Sequence, residues 1–256
     1  MIKHGENIII DGGDEIAFFY KKETEKPIIN IWFPGAYDRK KGERQYQRHS
    51  WTRSFEGSFL IFDDSTINSD NDLKIGWFQG CDNRLIEKVK KVIEEAIVFL
   101  GFEEHDIRLF GSSAGGFAAL KLSEYFKKAD ALVINPQIYV LNYYKSHVKE
   151  MLRYSYKKNI DELSGDDISK LSYFYSPDRE GRIFYFQNTY DVTHIKKHLN
   201  KFIEAYTKYE FSELYYPKDY IFDKENNFFV IYYSDPNLKH TPPDLQGTKD
   251  FFEFIY

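Results

Sequence analysis

Apolar residues along the chain fall into short continuous runs that alternate with longer amphipathic stretches. The short runs predict buried strands at residues 7–10, 16–22, 27–35, 58–64, 106–111, 131–136, 182–188 and 228–234. Apolar residues at helical spacing predict helices at 83–101, 114–128, 192–209 and 245–256. Strands that are apolar throughout and alternate with helices are typical of an α/β fold, with a mostly parallel central sheet and helices on both faces.

The beginning of the chain predicts a departure from the parallel pattern. Residues 7–10 and 16–22 flank the sequence DGGDE, which is a strong turn signal for a β-hairpin. We therefore expect an N-terminal antiparallel hairpin at one edge of the sheet. We expect residues 1–256 to form a single domain, in which the Tyr- and Lys-rich segment 137–175 is a helical insertion over the carboxyl edge of the sheet. Open α/β sheets bind their ligands at that edge.

Composition excludes several classes of protein. A single cysteine among 256 residues excludes an intrachain disulfide and fits a reducing compartment. The net charge of −5, with acids and bases interspersed, gives no support for nucleic-acid binding. The first residues lack a signal-peptide core, and no apolar run is long enough for an integral membrane segment. We therefore expect a cytoplasmic protein with no nucleic-acid partner. The sequence leaves open whether the protein forms a homo-oligomer.

Candidate chemistry first appears in the sequence IRLFGSSAGGFAAL, residues 107–120. Within it, GSSAG matches the pattern G-x-S-x-G between a predicted strand and a predicted helix. This pattern in this position is typical of the nucleophile elbow, where a strained turn exposes a serine at the N-terminus of a helix. We predict Ser113 as the nucleophile, with Ser112 as the second choice. The alternatives are a plain tight turn and a phosphate-binding loop, although the latter lacks its usual lysine and its G-x-G-x-x-G pattern.

A reactive serine needs a base and an acid that orients the base, and in α/β-hydrolases both follow the serine along the chain. The loop after the predicted strand 182–188 offers Asp191, and the loop after 228–234 offers His240. We predict that Asp191 orients His240, which acts as the base. Asp235, on the histidine's own loop, is the reserve acid.

The same residues have simpler interpretations. His240 could be an exposed loop histidine, and Asp191 could cap the helix that follows it, with or without a catalytic role. His194 and His198 stand one helical turn apart and could hold a metal together with Asp191. However, the H-E-x-x-H pattern is missing and no cysteine joins them. We favour a surface helix with two histidines, predict no metal, and keep His194 as a fallback base.

The stabilisation of an oxyanion requires two N–H donors. The amide of Ala114, directly after the nucleophile, is the first predicted donor. The loop after the third strand supplies the second, where Gly35 permits close approach of the backbone and the amide of Ala36 is our prediction. An ordinary Pro-Gly turn is nearly as well supported by the sequence alone.

The segment 38–53 is strongly basic and follows the Gly35 loop directly. If that loop lines the site, basic side chains lie at its mouth and suit a phosphate-bearing acyl donor or an anionic polymer. The predicted substrate-binding side chains are Arg39, Lys40, Arg44 and Arg48. The alternative is a solvated loop.

Several motifs together resemble known proteins: WFPGAYDR, GWFQG, FGSSAGGFAAL, NTYDVTHIKKH and KHTPP. They are similar to α/β-hydrolase-fold proteins of bacterial capsule and surface-polysaccharide gene clusters, including polysaccharide O-acetyltransferases. The resemblance spans about residues 28 to 243, and only the elbow motif is sharply defined. It implies an α/β-hydrolase-like fold, a triad of Ser113, Asp191 and His240, acetyl-CoA as co-substrate, and a polysaccharide or oligosaccharide acceptor.

The expected function is acyl transfer through an acyl-serine. We expect an O-acetyltransferase that moves acetyl from acetyl-CoA to a hydroxyl of a capsular or surface polysaccharide. An esterase would use the same triad and is the first alternative. The second is a non-catalytic carbohydrate-binding or assembly module, which the aromatic content of 18% would suit, although core packing is the simpler explanation for those rings.

Overall fold

The structure is a computed structural model that describes residues 2–42, 44–206, 211–218 and 227–256. Its strands are β1 (Gly5–Asp11), β2 (Asp14–Lys22), β3 (Ile29–Phe33), β4 (Ser58–Phe62), β5 (Ile107–Ser112), β6 (Asp130–Ile134), β7 (Ile183–Asn188), β8 (Ser212–Tyr215) and β9 (Phe228–Tyr233). They form one sheet in the order β1-β2-β4-β3-β5-β6-β7-β9-β8.

The helices of the described residues are α1 (Leu85–Leu100), α2 (Ala114–Ser123), α3 (Lys145–Met151), α4 (Gly165–Lys170), α5 (Val192–His194), α6 (Asn200–Ala205) and α7 (Leu245–Ile255). A π-helical turn, Ile195–Leu199, joins α5 to α6, so that the three segments form one continuous helix. A second π-helical turn, Leu152–Tyr156, extends α3. None of the described helices is long and apolar enough to cross a membrane.

The pairing of the strands confirms the predicted sheet. β1 pairs with β2 in antiparallel fashion, and β2 pairs with β4 in the same way. Each of the other neighbouring pairs is parallel. The hairpin therefore lies at one edge, as its turn signal indicates. All the strands from β3 to β9 point their carboxyl ends toward a common edge of the sheet.

Alternate residues of each strand pack on opposite faces of the sheet. In β5, Ile107 and Leu109 join the core beneath α1 and α2, whereas Phe110 joins the core beneath α7. In β7, Tyr185 faces the first core and Phe184 faces the second. Both faces are covered, and this explains why the strands are apolar throughout rather than alternating.

The far edge of the sheet differs from the sequence prediction. No strand is predicted between residues 192 and 228, yet β8 pairs in parallel with β9. Only Leu214 of β8 is buried, because an edge strand has one neighbour and need not be apolar throughout. The predicted helix 192–209 is helical to Ala205, and residues 207–209 lie outside the described residues.

The segment between β6 and β7, where the sequence predicts a helical insertion, contains α3 with its π-helical extension, α4 and short single turns. Its buried residues Val148, Met151 and Leu152 form a third core with Trp77 and Phe117, the latter on α2. This core lies next to the point where α2 begins. The division of the chain into one domain with 137–175 as an insertion stays a prediction.

Candidate active site

The chain turns from β5 into α2 at a single residue. β5 ends at Ser112 and α2 begins at Ala114, so Ser113 alone forms the turn. Its backbone has φ 55° and ψ −119°, a conformation that a residue with a side chain rarely adopts. The turn therefore holds the hydroxyl of Ser113 at the carboxyl edge of the sheet.

The glycines of this turn are required by close backbone approach. A Cβ atom on Gly111 would lie 2.2 Å from the carbonyl oxygen of Gly115, which lies in the first turn of α2. A Cβ atom on Gly115 would lie 2.4 Å from the carbonyl oxygen of Phe33, at the end of β3. These contacts explain the G-x-S-x-G pattern, because any side chain at either position would separate the strand from the helix.

The structure brings together the three predicted triad residues. The Oγ atom of Ser113 lies 3.0 Å from Nε2 of His240, and Nδ1 of His240 lies 2.7 Å from Oδ2 of Asp191. A carboxylate only accepts hydrogen bonds, so Nδ1 of His240 carries the proton. Nε2 then offers its lone pair to the hydroxyl of Ser113, which is the arrangement required of a general base.

Asp191 is buried yet strongly favours its charged form. Burial alone raises the pKa of its carboxyl group, but hydrogen bonds from His194 and His240 outweigh burial and hold the pKa well below its ordinary value. Its Oδ1 atom also accepts the main-chain N–H of His194, which makes Asp191 the N-cap of the following helix. The two roles considered for Asp191 in the sequence are thus compatible.

Two asparagines hold the loop that carries His240. The amide nitrogen of Asn188, at the end of β7, donates to the carbonyl oxygens of Asp235 and Lys239 at 2.8 and 2.9 Å. The amide nitrogen of Asn135, after β6, donates to the carbonyl oxygen of His240 at 3.3 Å. Buried side-chain amides therefore fix the backbone of the loop that carries His240, and nothing in the sequence pattern indicates them.

The two helical histidines are buried rather than on a surface. His194 is 3% exposed and His198 is 1% exposed. The ring of His194 stacks on His240 with 3.7 Å between centroids and 11° between planes, and His198 lies 5.1 Å beyond His194. Asp191, His194 and His240 place possible metal ligands within 4.8 Å of one another. However, Nδ1 of His194 lies at hydrogen-bonding distance from Oδ1 of Asp191, and Nδ1 of His240 lies at that distance from Oδ2.

Gln137 is a site residue that the sequence analysis missed. Its Nε2 atom donates to Oγ of Ser113 at 2.9 Å, and its Oε1 atom accepts the indole N–H of Trp77. Both side chains are fully buried. Trp77 fixes which end of the amide faces Ser113, because the indole can only donate. The one available signal was the position of Gln137, three residues after β6 at the carboxyl edge.

The predicted oxyanion loop lies beside the elbow. A Cβ atom on Gly35 would lie 3.3 Å from the carbonyl oxygen of Ser112, a tight contact, so the loop passes close to the elbow. The N–H of Gly35 donates to Oε1 of Gln47, and the carbonyl oxygen of Ala36 accepts from Nε2 of the same side chain. The amides of Ala36 and Ala114 have no hydrogen-bond partner among the described residues.

The side chain of Tyr37 anchors the predicted oxyanion loop to the end of β4. Its hydroxyl donates to the carboxylate of Asp63 and accepts the main-chain N–H of Asp64 at 2.7 Å. Its own N–H donates to the carbonyl oxygen of Lys74 at 2.7 Å. The loop is therefore held in place by the protein before any substrate binds.

The four basic residues predicted to bind substrate lie in different surroundings. The guanidinium of Arg39 donates to the loop of residues 68–73, Arg44 pairs with Glu15, and Lys40 is exposed.

Of these four residues, Arg48 contacts the elbow. Its guanidinium donates to Oγ of Ser112 at 2.8 Å. It also lies 5.5 Å from the ring centres of Trp51 and Phe110. Burial lowers the pKa of Arg48 to about 10, which still leaves it charged at neutral pH.

No protein-family model and no curated protein sequence matches the chain. Solved structures do match it. The capsule O-acetyltransferase of Neisseria meningitidis serogroup A is 19% identical, with a TM-score of 0.67 over 96% of this chain and 95% of that one. A variant of the same protein in complex with CoA is 18% identical, with a TM-score of 0.68 over 95% of this chain and 94% of that one.

An esterase shares the architecture as well. Esterase 2 of Thermogutta terrifontis is 14% identical, with a TM-score of 0.59 over 98% of this chain and 92% of that one. These likenesses show that the chain has the α/β-hydrolase fold, which confirms the predicted fold class. The resemblance to capsule O-acetyltransferases holds at the level of structure.

Proposed function

We propose that the protein is a serine-triad O-acetyltransferase. It would move acetyl from acetyl-CoA to a hydroxyl group of a bacterial capsular or surface polysaccharide. The observation that carries this proposal is the continuous chain of hydrogen bonds from Ser113 through His240 to Asp191 at the carboxyl edge of the sheet. The likeness to a capsule O-acetyltransferase supports the choice of donor and acceptor.

The first half of the reaction forms an acyl-serine. Oγ of Ser113 attacks the carbonyl carbon of the thioester while its proton passes to Nε2 of His240. The amides of Ala114 and Ala36 stabilise the negative charge that develops on the carbonyl oxygen. The C–S bond then breaks, and the leaving sulfur takes the proton from His240 to depart as the free thiol.

The second half of the reaction transfers the acetyl group to the acceptor. A sugar hydroxyl gives its proton to His240 and attacks the carbonyl carbon of the acyl-serine. The bond to Oγ breaks, and Ser113 recovers its proton from His240. Asp191 stays ionised throughout and stabilises the imidazolium that forms in each half, which its lowered pKa favours.

Gln137 would assist at the nucleophile itself. Its amide donates to Oγ of Ser113, and this hydrogen bond strengthens as Oγ gains negative charge. The partner of Gln137, Trp77, prevents the amide from turning its oxygen toward Ser113. Gln137 thus acts together with the two backbone amides to stabilise charge in the site.

A carbohydrate or carboxyl esterase is the second candidate function, because water could replace the sugar hydroxyl with no other change. The likeness to Thermogutta terrifontis esterase 2 supports this alternative. A cytoplasmic location, which we also propose, favours the transferase because acetyl-CoA is available there. The segment 137–175 would contribute to acceptor choice, since its residues pack beside α2 and Trp77.

One experiment separates the two functions. The protein is incubated with acetyl-CoA, with and without de-acetylated capsular polysaccharide, and the release of free thiol is followed. A transferase releases thiol faster with the polysaccharide and yields an acetylated polymer. An enzyme that rapidly hydrolyses p-nitrophenyl acetate but ignores acetyl-CoA would be an esterase. Ser113→Ala is the blank in every arm.

A further inference from the structure

The carboxylate of Asp191 accepts hydrogen bonds from two imidazole rings rather than one. Oδ2 lies 2.7 Å from Nδ1 of His240, and Oδ1 lies 2.9 Å from Nδ1 of His194. The main-chain N–H of His194 also donates to Oδ1, at 3.3 Å. Because a carboxylate only accepts, both Nδ1 atoms carry protons and both rings are fixed in the same tautomer.

The ring of His194 also covers one face of the ring of His240. The two rings are nearly parallel, with 11° between planes and 3.7 Å between centroids. This is van der Waals contact, so the ring of His240 cannot tilt toward that side. Apart from this contact, the side chain of His240 is partly open to solvent, with 34% of its surface exposed.

His194 is suited to this contact because it stays uncharged. Burial lowers the pKa of His194, and the neighbouring His240 lowers it further, against the opposing effect of Asp191. A charged ring at 3.7 Å would oppose the formation of an imidazolium on His240. A neutral ring does not, and it donates one hydrogen bond to the shared carboxylate.

We propose that His194 is a positioning residue of the triad. Its two N–H groups bind Oδ1 of Asp191, so that only Oδ2 faces His240, and its ring holds His240 in the plane that contains Ser113. The inference rests on the proposed function, since it assigns His194 to the same triad. It replaces the interpretation of His194 as a fallback base: Nδ1 is bonded to Asp191, and Nε2 is buried without a partner among the described residues.

His198 provides a matched comparison within the same helix. It is buried to the same degree and stacks against His194, but its Nδ1 accepts the main-chain N–H of Tyr139 at 3.3 Å and does not reach Asp191. A purely structural role for the buried histidines would make the two residues equally sensitive. A positioning role makes His194 the sensitive one.

The test compares His194→Asn with His194→Leu. Asparagine and leucine have similar size and shape, but only asparagine places an N–H donor where Nδ1 stood. We expect His194→Leu to lower kcat for acetyl transfer about 100-fold with KM nearly unchanged, because a misplaced base costs rate rather than binding. His194→Asn should recover most of that loss, and the control His198→Asn should stay within about 3-fold of the unaltered protein.

A second readout does not depend on turnover. Proton NMR of histidine-labelled protein should show two slowly exchanging Nδ1–H signals, from His194 and His240. In His194→Leu the His240 signal should broaden through exchange, whereas in His198→Asn it should persist. Equal kcat in the leucine and asparagine variants, or an unchanged His240 signal in the leucine variant, would overturn the proposal. Intact signals in a protein that does not react with acetyl-CoA would instead count against the proposed function.

Discussion

At the residue scale, the site depends on hydrogen bonds whose direction is fixed by chemistry. The carboxylate of Asp191 can only accept and the indole of Trp77 can only donate, so the protons on His240 and the orientation of Gln137 follow from their neighbours. The hydroxyl of Ser113 donates a hydrogen bond to His240 and accepts one from Gln137. This pair of bonds favours removal of its proton.

The proposed acid, Asp191, can be tested against Asp235, the reserve acid of the sequence prediction. We expect Asp191→Asn to lower kcat about 10⁴-fold, because an amide in place of the carboxylate allows the wrong tautomer of His240. Asp235→Asn should stay within about 3-fold, since Oδ1 of Asp235 accepts N–H groups of Asn237 and Leu238 and asparagine retains that oxygen. Steady-state kinetics with acetyl-CoA measures both. Equal losses would move the role of acid away from Asp191.

The amide of Gln137 gives a second prediction at this scale. Gln137→Leu removes one donor to Oγ of Ser113, and we expect kcat to fall about 100-fold with KM little changed. Gln137→Glu should cost more, because it keeps the acceptor for Trp77 but presents a negative oxygen to a developing negative charge. Rates within about 3-fold of normal in both variants would show that Gln137 takes no part in the reaction.

At the element scale, the site exists because α2 lies against the ends of β3 and β5. Gly111 and Gly115 allow this approach, and the predicted oxyanion loop follows directly from β3. His194 on α5 and His198 on the π-helical turn that follows form one column of stacked rings next to His240. Distances between elements thus determine which side chains meet.

A single methyl group tests the contact between α2 and β3. Gly115→Ala would place Cβ 2.4 Å from the carbonyl oxygen of Phe33, so α2 must shift away from β3. We expect a loss of about 1–3 kcal/mol in the free energy of unfolding, together with most of the activity. The control is Gly165→Ala, where no atom lies within 4 Å of the new Cβ. Chemical denaturation and kcat measure both, and similar results for the two variants would contradict the close contact.

The parts of this site that depend on local sequence could be predicted, and the parts that depend on packing could not. The order of Ser113, Asp191 and His240 follows from strand ends, because parallel strands bring their following loops to one edge. Gln137 follows no local pattern, since its partners Ser113 and Trp77 lie far along the chain. The short spacing of Asp191 and His194 is visible in the sequence, but the stacking of His194 on His240 depends on packing. β8 was missed because an edge strand lacks the apolar run by which the other strands are found.

At the scale of the whole molecule, the buried neutral histidine His198 makes the stability of the folded protein depend on pH. Burial lowers the pKa of His198 to about 3, so the folded protein leaves it neutral at pH 5 whereas the unfolded chain protonates it. The unfolded state therefore binds more protons between pH 6.5 and 3, and stability falls as the pH is lowered through that range. Burial of the neutral His198 therefore lowers the free energy of unfolding by an amount that grows as the pH falls.

This linkage gives a prediction for the pH dependence of unfolding. Between pH 7 and pH 5, His198 should account for about 2 kcal/mol of lost stability, given ~1.36 kcal/mol for each unit of pKa difference. His198→Asn retains an acceptor for the N–H of Tyr139 and removes the titrating group. Its unfolding free energy should therefore decline less steeply in this range. Parallel curves for the variant and the unaltered protein would contradict a buried neutral histidine at this position.

The most direct measurement of the central claim is the labelling of the protein by a fluorophosphonate, followed by peptide mass spectrometry. A serine activated by His240 and Asp191 reacts with this probe, and a structural serine does not. We predict one adduct on Ser113, formed at least about 1000-fold more slowly in His240→Ala and absent in Ser113→Ala. A folded protein that remains unlabelled, or that is labelled equally fast without His240, would contradict the account.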